Sequence, residues 1–526
     1  MNLPIPDRDG DGIADDGDFS GLVGDAFCSG GTALCDDNCP FELNPTQANA
    51  GGSSSGDACE CGDADDDGTV TSADWDEVRE FLVGLIPAVA APQKCAVTTP
   101  ALCDLRAAVG MERASAGLPP PIQPVCDAAA APADPSDLLF DPDRVLDVVI
   151  TMAPADWDTL RFEARDVYDT LGPGCFDGPP VSPYTEFPAN ATIDGETFAN
   201  VSIRKKGFYG SADQFKPSLK IDSNDLVGGQ LIAGLEHLTF NNARQDPSLV
   251  KQCLGYALFE AAGLPASRCN FANVTVNGLN LGVYVHVEEI EEQPYLGRYF
   301  ANTTGNIYEG TLSDFRTTFV NTFERKNNEE NPSQADLAAI VAAAIVPDGQ
   351  PMPALGALVN MDAFHTYWAM EGLIGHWDGY QSNRNNFWIY FDPNNGGRAN
   401  FLPWGIDALF AGGNPLAGNL SGNAPVVFPR AMLTRKLYLE PTSRAIFLGR
   451  VQTLLNTVWN EAALLAEINR MEALLEPYSG PLDAQLNLVR NWINGRRAEV
   501  QTQIGGGGPA WTAPLDPPAC LALAGT

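Results

Sequence analysis

The sequence predicts an α+β fold in which a mixed sheet lobe precedes a helical lobe, with small calcium- and disulfide-stabilised modules at the N-terminus. Strand-like and helix-like segments alternate from residue 138, and amphipathic helices dominate from residue 352 onward. Before residue 130, the chain instead carries acidic loops and eight of its twelve cysteines. We therefore expect several modules of different kinds.

Length and charge limit the classes of function. At 526 residues the chain is long enough for several domains, because single domains rarely exceed about 250 to 300 residues. A formal net charge of -36 argues against nucleic-acid binding and favours cations and basic protein partners. The cysteine content fits a secreted protein, and the longest apolar run, residues 337–346, is about half a membrane span. No apolar leader follows Met1, so we expect a removed export signal or a piece of a longer chain.

Two acidic stretches have the spacing of twelve-residue calcium loops. In DRDGDGIADDGD, residues 7–18, and DADDDGTVTSAD, residues 63–74, acidic residues alternate and a glycine at the sixth position permits the sharp turn. A solvated acidic linker would explain the charge but neither the alternation nor the glycine. Apolar residues at helical spacing after the second loop predict an exiting helix. The predicted calcium ligands are Asp7, Asp9, Asp11, the Ile13 carbonyl, Asp15 and Asp18, and then Asp63, Asp65, Asp67, Thr69, Thr71 and Asp74.

These N-terminal modules resemble two families. Residues 1–60, with DRDGDGIADD and DDNCPFELNPTQANAGGSSSGDAC, resemble a thrombospondin type 3 repeat, in which calcium and disulfides substitute for a core. Residues 61–130, with CGDADDDGTVTSADWDEVREFLVG, resemble a dockerin-type pair of calcium-loop helices, although the second half lacks the aspartates. The resemblance implies Ca2+ binding and a cohesin-like or matrix partner.

A Pro- and Ala-rich linker, residues 119–137, leads into the large domain, residues 131–505. Its first part contains predicted strands at VLDVVITM, FANVSIRKKGF and SLKID, and a hairpin with an Asn-Gly turn at NFANVTVNGLNLGVYVHVEEI. Helices are predicted at ADWDTLRFEA and at SLVKQCLGYALFEAAG, which Asp246 caps and Gly263 ends.

The second part of the large domain is predicted to be mainly helical, with a cleft between it and the sheet lobe. The strand-like segments NNFWIYF and FLPWGI interrupt it, and AALLAEINRMEALLEPY and LDAQLNLVRNWINGRRAEVQTQI end it as amphipathic helices. Residues 506–526 form a Gly- and Pro-rich tail, which we expect to be a flexible linker whose Cys520 pairs with a cysteine in the body.

Several catalytic classes are excluded by missing motifs. The four histidines are scattered without an HExxH pair, and neither a GxSxG elbow nor a Walker A lysine loop occurs. His376 is either a general base or, as we favour, a helix-end histidine bonded to a backbone carbonyl. The remaining candidate residues fit phosphate chemistry.

A basic turn could cradle phosphates. RKKGFYGS, residues 204–211, offers glycine amides and Ser211 between two strands, and Lys206, Lys216 and Lys220 lie nearby in sequence. A bound triphosphate needs such amide donors and at least one ammonium group. The alternative is a solvated, lysine-rich edge hairpin.

An acidic set follows in the second part. Asp378 lies seven and eight residues before Asn385 and Asn386, and Asp407 follows the sequence PWGI. An aspartate that accepts a hydroxyl proton, with an asparagine and a second aspartate that hold Mg2+, is the minimal set for phosphoryl transfer. Asparagines that bond turns and aspartates that cap helices explain the spacing equally well.

From residue 138 to residue 503, the chain resembles the CotH family, the spore-coat atypical protein kinases. The resemblance is carried, in order, by LFDPDRVLDVVITMAPADWDTL, VSIRKKGFYGS, KPSLKID, LTFNNARQDPSLVKQCLGYALFEAAGLPASRCNFANVTVNGLNLGVYVHVEEI, HWDGYQSNRNNFWIYFD and FLPWGIDALF. It implies a two-lobed, protein-kinase-like domain with a cleft for ATP and Mg2+ or Mn2+.

The resemblance also implies roles for single residues. Asp378 would be catalytic, and Asn386 and Asp407 would bind Mg2+, with the inward-facing choice between Asn385 and Asn386 open because a strand admits only one of them. The residues implied on the nucleotide side are Lys206, Ser211, Lys220 and Glu288, the last on the sheet side of the cleft or in its hinge.

One motif departs from the family. Many CotH sequences have Pro-Trp-Asp-x-Asp, whereas Gly405 replaces the first aspartate here and Asp407 remains. The expected function is that of a secreted kinase that transfers the ATP γ-phosphate to Ser or Thr of a protein partner. The alternative is a non-catalytic pseudokinase that serves as a cell-surface or extracellular-matrix binding protein.

Overall fold

A computed structural model of the chain describes residues 134–330, 333–414 and 419–521, the helix Ser72–Leu82, and the single residues Cys28, Ala64 and Val89. The chain separates into two units, residues 1–137 and residues 138–526.

The N-terminal unit contains helix α1, Ser72–Leu82, and this confirms the helix predicted after the second acidic loop. Val78 is buried, and Asp74 is buried in the first turn. The other predicted calcium ligands lie outside the described residues, and they are Asp7, Asp9, Asp11, Ile13, Asp15, Asp18, Asp63, Asp65, Asp67, Thr69 and Thr71.

The second unit begins with a seven-stranded closed barrel in the order β1-β2-β3-β4-β5-β7-β6. Its neighbouring strands are antiparallel except β1 and β6, which close the barrel in parallel, with Val148 opposite Val274. The sequence predicted a mixed sheet, and the closure makes that sheet a barrel around an apolar core. The strands are β1 Val145–Met152, β2 Phe187–Ile193, β3 Glu196–Lys206, β4 Ser218–Asp222, β5 His237–Asn241, β6 Cys269–Val276 and β7 Leu279–Val287.

Local signals in the barrel region act as the sequence predicted. Pro154 opens helix α2, Pro154–Phe162, and Asn277 and Gly278 have positive φ angles of 49° and 81° in the tight turn between β6 and β7. Asp246 accepts hydrogen bonds from the amides of Ser248 and Lys251 at the start of helix α4, Lys251–Ala261. The helices here are α2, α3 Val167–Leu171 and α4 Lys251–Ala261.

The rest of the unit is mainly helical around a small antiparallel sheet in the order β11-β10-β8-β9. Among the described residues, no helix is long and apolar enough to cross a membrane. The strands are β8 Ile307–Gly310, β9 Phe323–Arg325, β10 Phe387–Asp392 and β11 Arg398–Pro403, with a hairpin of β12 Gly412–Asn414 and β13 Asn419–Asn423. The helices are α5 Gln293–Tyr299, α6 Ala335–Ala344, α7 Met361–Ile374, α8 Met432–Leu439, α9 Pro441–Thr457, α10 Glu461–Ser479 and α11 Asp483–Ile504.

The C-terminal tail is held against the body at several points. Cys520 forms a disulfide with Cys175, which confirms that it pairs within the body, and a second disulfide joins Cys253 and Cys269. The Tyr438 hydroxyl donates to the Pro509 carbonyl at 2.7 Å. The expectation of a flexible linker is therefore wrong for residues 508–521, because disulfide and side-chain contacts fix them.

Candidate functional site

A cleft of about 700 Å³ lies between the barrel and the helical part. The turn after β3 and strand β4 contribute residues on the barrel side, and the segments 377–386 and 404–407 contribute residues on the other. The sequence-predicted residues that line it are Lys206, Ser211, Lys220, Asp378, Asn385, Asn386 and Asp407. The fold thus gathers residues that are far apart in the sequence.

The glycine-rich turn after β3 is fixed by its own serine. The Ser211 hydroxyl accepts from the Phe208 amide at 3.1 Å and donates to the Phe208 carbonyl at 3.2 Å. Gly207 has a φ of 107°, and a Cβ there would lie 2.2 Å from the Ser211 hydroxyl oxygen. The positive φ and this contact both favour glycine at the start of the turn, which lines the cleft.

Two lysines of the barrel face the cleft in different electrostatic states. Burial lowers the pKa of half-buried Lys206 to about 8, although Glu289 opposes this, and its Nζ lies 5.2 Å from the centre of the Trp404 ring. Burial would also lower the pKa of Lys220, but Glu289 and Glu291 outweigh it and raise that pKa. Lys220 Nζ lies 2.9 Å from Glu291 Oε1. Lys206 is therefore the less neutralised of the two cations.

Two other lysines of this region donate hydrogen bonds to backbone carbonyls and do not face the cleft. Lys205 Nζ donates to the carbonyls of Arg161 at 2.8 Å and Glu163 at 2.6 Å. Lys216 Nζ donates to the Val283 carbonyl at 2.5 Å. Neither side chain lines the cleft.

Glu288 does not line the cleft and is the first residue after β7. Its carboxylate is fully buried and binds Arg268, at 2.6 Å, and Arg298. The next residue, Glu289, lines the cleft and lies 3.7 Å from Lys220 Nζ. Strand β7 ends at Val287, so the alternation that would assign these two glutamates to opposite faces stops just before them.

Asp378 is surrounded by side-chain amides. Asn386 Nδ2 donates to Asp378 Oδ2 at 2.9 Å, Asn385 Nδ2 reaches the same oxygen at 3.4 Å, and Asn383 donates to Oδ1. Burial raises the pKa of Asp378 to about 6, although these amides act in the opposite direction. The carboxylate is oriented by neutral donors and keeps an affinity for a proton near neutral pH.

Both Asn385 and Asn386 line the cleft, which answers the choice that strand alternation left open. Strand β10 begins only at Phe387, so neither asparagine is subject to alternation. Asn386 has a φ of 53°, in the left-handed region that asparagine tolerates better than most residues.

Asp407 follows the Pro-Trp-Gly segment into the same cleft. Burial, together with the nearby carboxylates of Asp378 and Asp246, raises the pKa of Asp407 to about 7. Gly405, two residues earlier, has a φ of 56°, and a Cβ there would lie 2.8 Å from Asn386 Oδ1. The departure from the family motif therefore occupies a position where this backbone disfavours a side chain.

His376 lies outside the cleft lining. It is buried just after Gly375, which ends α7 with a φ of 71°, and burial lowers its pKa to about 3. Neither ring nitrogen has a hydrogen-bond partner within the described part of the chain, so the expected bond to a backbone carbonyl is not found. The neutral, inaccessible ring is not placed to act as a general base.

A buried glutamate that the sequence reasoning missed supports the loop of Asp378. Glu371, in α7, accepts hydrogen bonds from the amides of Tyr380 at 2.6 Å and Gln381 at 2.9 Å. Burial raises its pKa to about 8. The sequence did offer a signal for Glu371, because it is an acidic residue within a mainly apolar helix. A buried acid without a basic partner usually accepts hydrogen bonds that stabilise the structure.

The residues present fit a magnesium ion held together with phosphates. Asp407 and Asn386 Oδ1 supply oxygen ligands, and Mg2+ commonly binds few protein groups while keeping water or phosphate oxygens. Across the described ranges, no group of three or more His, Cys, Asp or Glu side chains could hold a metal alone. A cation in this cleft would complete its coordination with water or with phosphate oxygens.

Comparisons with known proteins agree on one family. Residues 203–492, more than half of the chain, match the family model described as CotH kinase protein. The chain is 22% identical over 265 residues to Invasin CotH7 of Rhizopus delemar, covering 48% of this chain and 44% of that protein. It is 24% identical over 188 residues to Inner spore coat protein H of Bacillus subtilis, covering 34% of this chain and 51% of that protein. The chain spans about half the length of the curated relatives it matches.

A solved structure, described as the Helicobacter pylori proinflammatory kinase CtkA, aligns with 57% of this chain and 98% of its own. The sequence identity is 12% and the TM-score is 0.25. A score this low is not a sign of a shared fold.

Proposed function

Because the chain belongs to the CotH family, we propose that it is an atypical protein kinase that transfers the γ-phosphate of ATP to a Ser or Thr hydroxyl of a protein partner. One observation carries the proposal. A single cleft of about 700 Å³ is lined by Asp378, Asn386 and Asp407 on one side and by Lys206 and the glycine-rich turn on the other.

Asp378 is assigned as the proton acceptor. The substrate oxygen would form a bond to the γ-phosphorus as the bond to ADP breaks, and the hydroxyl proton would pass to the Asp378 carboxylate. A pKa of about 6 leaves this carboxylate mainly ionised at pH 7 while keeping it a better base than an ordinary aspartate. The amides of Asn383 and Asn386 hold it in one orientation.

Asp407 and Asn386 are assigned to Mg2+, which when bound with ATP would offset the charge of the phosphates. The raised pKa of Asp407 supports this, because its carboxylate lies close enough to Asp378 and Asp246 to be destabilised as an anion. A cation beside Asp407 would favour the ionised form.

Lys206 is assigned to the phosphates. Its pKa of about 8 reflects burial that Glu289 only partly offsets, so the ammonium group is mainly charged at pH 7 and an anionic phosphate would stabilise that charge. The backbone of the turn at Gly207 provides amide donors on the same side. Lys220, already paired with Glu291, would position Glu289 and contribute less to ATP binding.

We also propose that the protein is secreted or displayed at a surface. The disulfides Cys175–Cys520 and Cys253–Cys269 support an oxidising compartment. Relatives in Rhizopus delemar carry the name invasin. The predicted Ca2+ loops of residues 1–130 would stiffen the N-terminal modules and present the kinase domain to a protein or matrix partner.

A non-catalytic binding protein is the second candidate, favoured by one observation. Gly405 stands where the resemblance to the family leads us to expect an aspartate. In that case the cleft would be a structural remnant, and retention on cells or matrix would survive loss of Asp378 and Asp407.

The test is phosphate transfer from ATP labelled in the γ-position, with Mg2+ or Mn2+, to the protein itself and to a basic or Ser-rich protein substrate. We expect metal-dependent label on Ser or Thr, located by mass spectrometry. The variant Asp158→Asn, on an exposed turn of α2, serves as a control that leaves transfer unchanged. Absence of label with every metal and substrate, together with unimpaired surface binding, would favour the second candidate.

A further inference from the structure

Three arginines surround an aspartate of the C-terminal tail. Arg430 Nη2 lies 2.6 Å and Arg384 Nη1 lies 3.4 Å from Asp516 Oδ2. Arg316 Nη1 donates to the Asp516 carbonyl at 2.6 Å. We call Arg316, Arg384 and Arg430 the arginine cluster.

Arg384 belongs to the loop that holds Asp378. Its neighbours on either side, Asn383 and Asn385, both donate to the Asp378 carboxylate. The Arg384 amide donates to the Gly379 carbonyl at 2.9 Å, and its own carbonyl accepts from the Ser313 amide at 2.8 Å. Any displacement of Arg384 would therefore move the donors that orient Asp378.

The backbone of this loop needs external support. Arg384 has a φ of 59° and Asn386 a φ of 53°, in a region that residues other than glycine adopt at a cost. Such conformations persist only where the surrounding contacts enforce them. The contacts of the Arg384 side chain are consequently part of what keeps the loop in place.

Asp314 and Asp516 together provide the counter-charge for the mostly buried guanidinium group of Arg384. The Arg384 side chain is 14% exposed, and within the described residues its Nε and Nη1 make no hydrogen bond. The charged groups that face it are Asp314 and Asp516, which attract it, and Arg316 and Arg430, which repel it. Exposed ion pairs stabilise proteins little, but removing one partner of a desolvated pair leaves a charge uncompensated.

The tail is anchored on both sides of Asp516. The Cys175–Cys520 disulfide fixes its end, and Arg435 donates to the Ala513 carbonyl. Phe176, next to Cys175, packs on Phe319 with ring centres 4.4 Å apart.

Phe319 connects this anchor to the arginine cluster. The guanidinium carbons of Arg316 and Arg384 lie 3.8 Å and 5.5 Å from the centre of the Phe319 ring. Cation–π contacts of this kind stabilise a guanidinium group where it has lost water. The Cys175–Cys520 disulfide therefore joins two segments that both reach the arginine cluster. The tail contacts the cluster through Asp516, and Phe176 packs on Phe319, which contacts it.

We propose that Asp516 is a positioning residue for phosphoryl transfer: the carboxylate of the disulfide-anchored tail fixes Arg384 and, through it, the amides that orient Asp378. The effect on catalysis rests on the proposed kinase function. The effect on the loop itself does not, and the two are measured separately.

The first measurement is hydrogen exchange by mass spectrometry on the full chain. In Asp516→Asn, peptides that cover residues 378–386 should exchange about tenfold faster than in the parent protein. Asp516→Glu, which keeps the carboxylate, should restore most of the protection. The matched control is Glu472→Gln, since Glu472 pairs with Arg490 between α10 and α11, and its loss should leave this loop unchanged.

A double variant tests the anchor independently. Cys175→Ser with Cys520→Ser removes the disulfide without touching Asp516 or Arg384. Exchange of residues 378–386 should again rise, because the tail is no longer tethered. Unchanged exchange of this loop in both Asp516→Asn and the double variant would overturn the proposal.

The second measurement is steady-state phosphate transfer. In Asp516→Asn, kcat should fall about tenfold, with a smaller rise in KM for Mg-ATP because Asn386, which is assigned to Mg2+, lies in the same loop. A general loss of folding would lower apparent kcat only by the unfolded fraction, so rates are divided by the folded fraction measured by circular dichroism, and a KM effect alone would contradict the proposal. If the parent protein transfers no phosphate, the kinase function fails, and hydrogen exchange still decides the role of Asp516.

Discussion

The two sides of the cleft differ in whether their charged side chains have partners of opposite charge. On the barrel side, Lys220 lies within 4 Å of Glu289 and Glu291, and these carboxylates raise its pKa against the effect of burial. On the loop side, Asp378 receives only neutral amides and Asp407 is pushed to a pKa of about 7. In the part of the chain that the structure describes, neither aspartate forms an ion pair with a lysine or arginine. The loop side is therefore the side that a cation would stabilise.

Most of this difference follows from where each side lies in the fold. The lysines project from barrel strands β3 and β4, and the glutamates that face Lys220 follow the end of β7. The aspartates lie in segments between elements, where asparagines and glycines shape the backbone. The barrel brings Lys220 close to acidic partners from a distant segment, whereas the loop segments hold Asp378 and Asp407 without an ion pair to any basic residue that the structure describes.

Loss of the proton acceptor is the largest expected effect. Asp378→Asn keeps the size of the side chain but removes the base, and we expect phosphate transfer to fall at least about 100-fold. Mg-ATP binding should persist, since Asp407, Asn386 and Lys206 remain. Transfer rates and calorimetric titration measure the two effects. A variant with normal transfer would mean that Asp378 is not the proton acceptor.

The pH dependence tests the raised pKa values directly. Both Asp378 and Asp407 must be ionised, so activity should rise with pH through an ascending limb between about pH 6 and pH 7. The sign follows because protons leave as the pH increases. Higher Mg2+ should move the limb to lower pH, since the ion favours the charged form of Asp407. A rate that is flat from pH 5 to pH 8 would contradict these assignments.

On the barrel side, Lys206→Met should have a smaller effect. Removal of the ammonium group that faces the phosphates should raise KM for ATP about tenfold with a lesser change in kcat. Lys216→Met is the matched control, because Lys216 is a half-buried lysine that lies outside the cleft lining. Equal KM values for Lys206→Met and the parent protein would remove Lys206 from the phosphate site.

Gly405→Asp restores the family motif and should still impair this protein. The left-handed backbone costs a side chain about 1 to 2 kcal/mol, and the new Cβ would lie 2.8 Å from Asn386 Oδ1. Gly396→Asp is a matched control, since Gly396 has a φ of 66° with nothing within 4 Å of its Cβ position. Thermal unfolding of both variants separates backbone strain from contact with Asn386. Tighter Mg2+ binding in Gly405→Asp would show instead that the missing aspartate is the better ligand.

Calcium removal should leave the cleft almost unaffected. A chelator should lower the melting temperature of residues 1–126, because the apposed aspartates of the predicted loops repel one another without the ion. Phosphate transfer, assayed with Mg2+ in excess, should not change. Identical calorimetric melting curves with and without chelator would contradict the prediction that these loops bind calcium.

The sequence predicted which residues line the cleft better than it predicted the contacts and burial of those residues. Ordered motifs pointed to Asp378, Asn386 and Asp407, and strand and turn signals gave β1, β4 and the Asn277–Gly278 turn. These features depend on local patterns or on a resemblance that spans the whole domain.

Other features could not be predicted because they depend on contacts between distant segments. The barrel closes through parallel pairing of β1 with β6, and no local signal specifies that partner. Glu288 and Glu289 follow the end of β7, where alternation gives no information about direction. The tail looked like a linker by composition, yet Cys175 and the arginine cluster hold it in place.

Calorimetric titration of the full chain with ATP, in the presence and absence of Mg2+, tests the central claim most directly. The account predicts one binding event that requires Mg2+ and disappears in Asp407→Asn, while Asp158→Asn binds as the parent protein does. The account would be contradicted by the absence of binding heat in the parent protein. It would also be contradicted by ATP binding that depends on neither Mg2+ nor Asp407, because the loop side of the cleft is proposed to bind the cation.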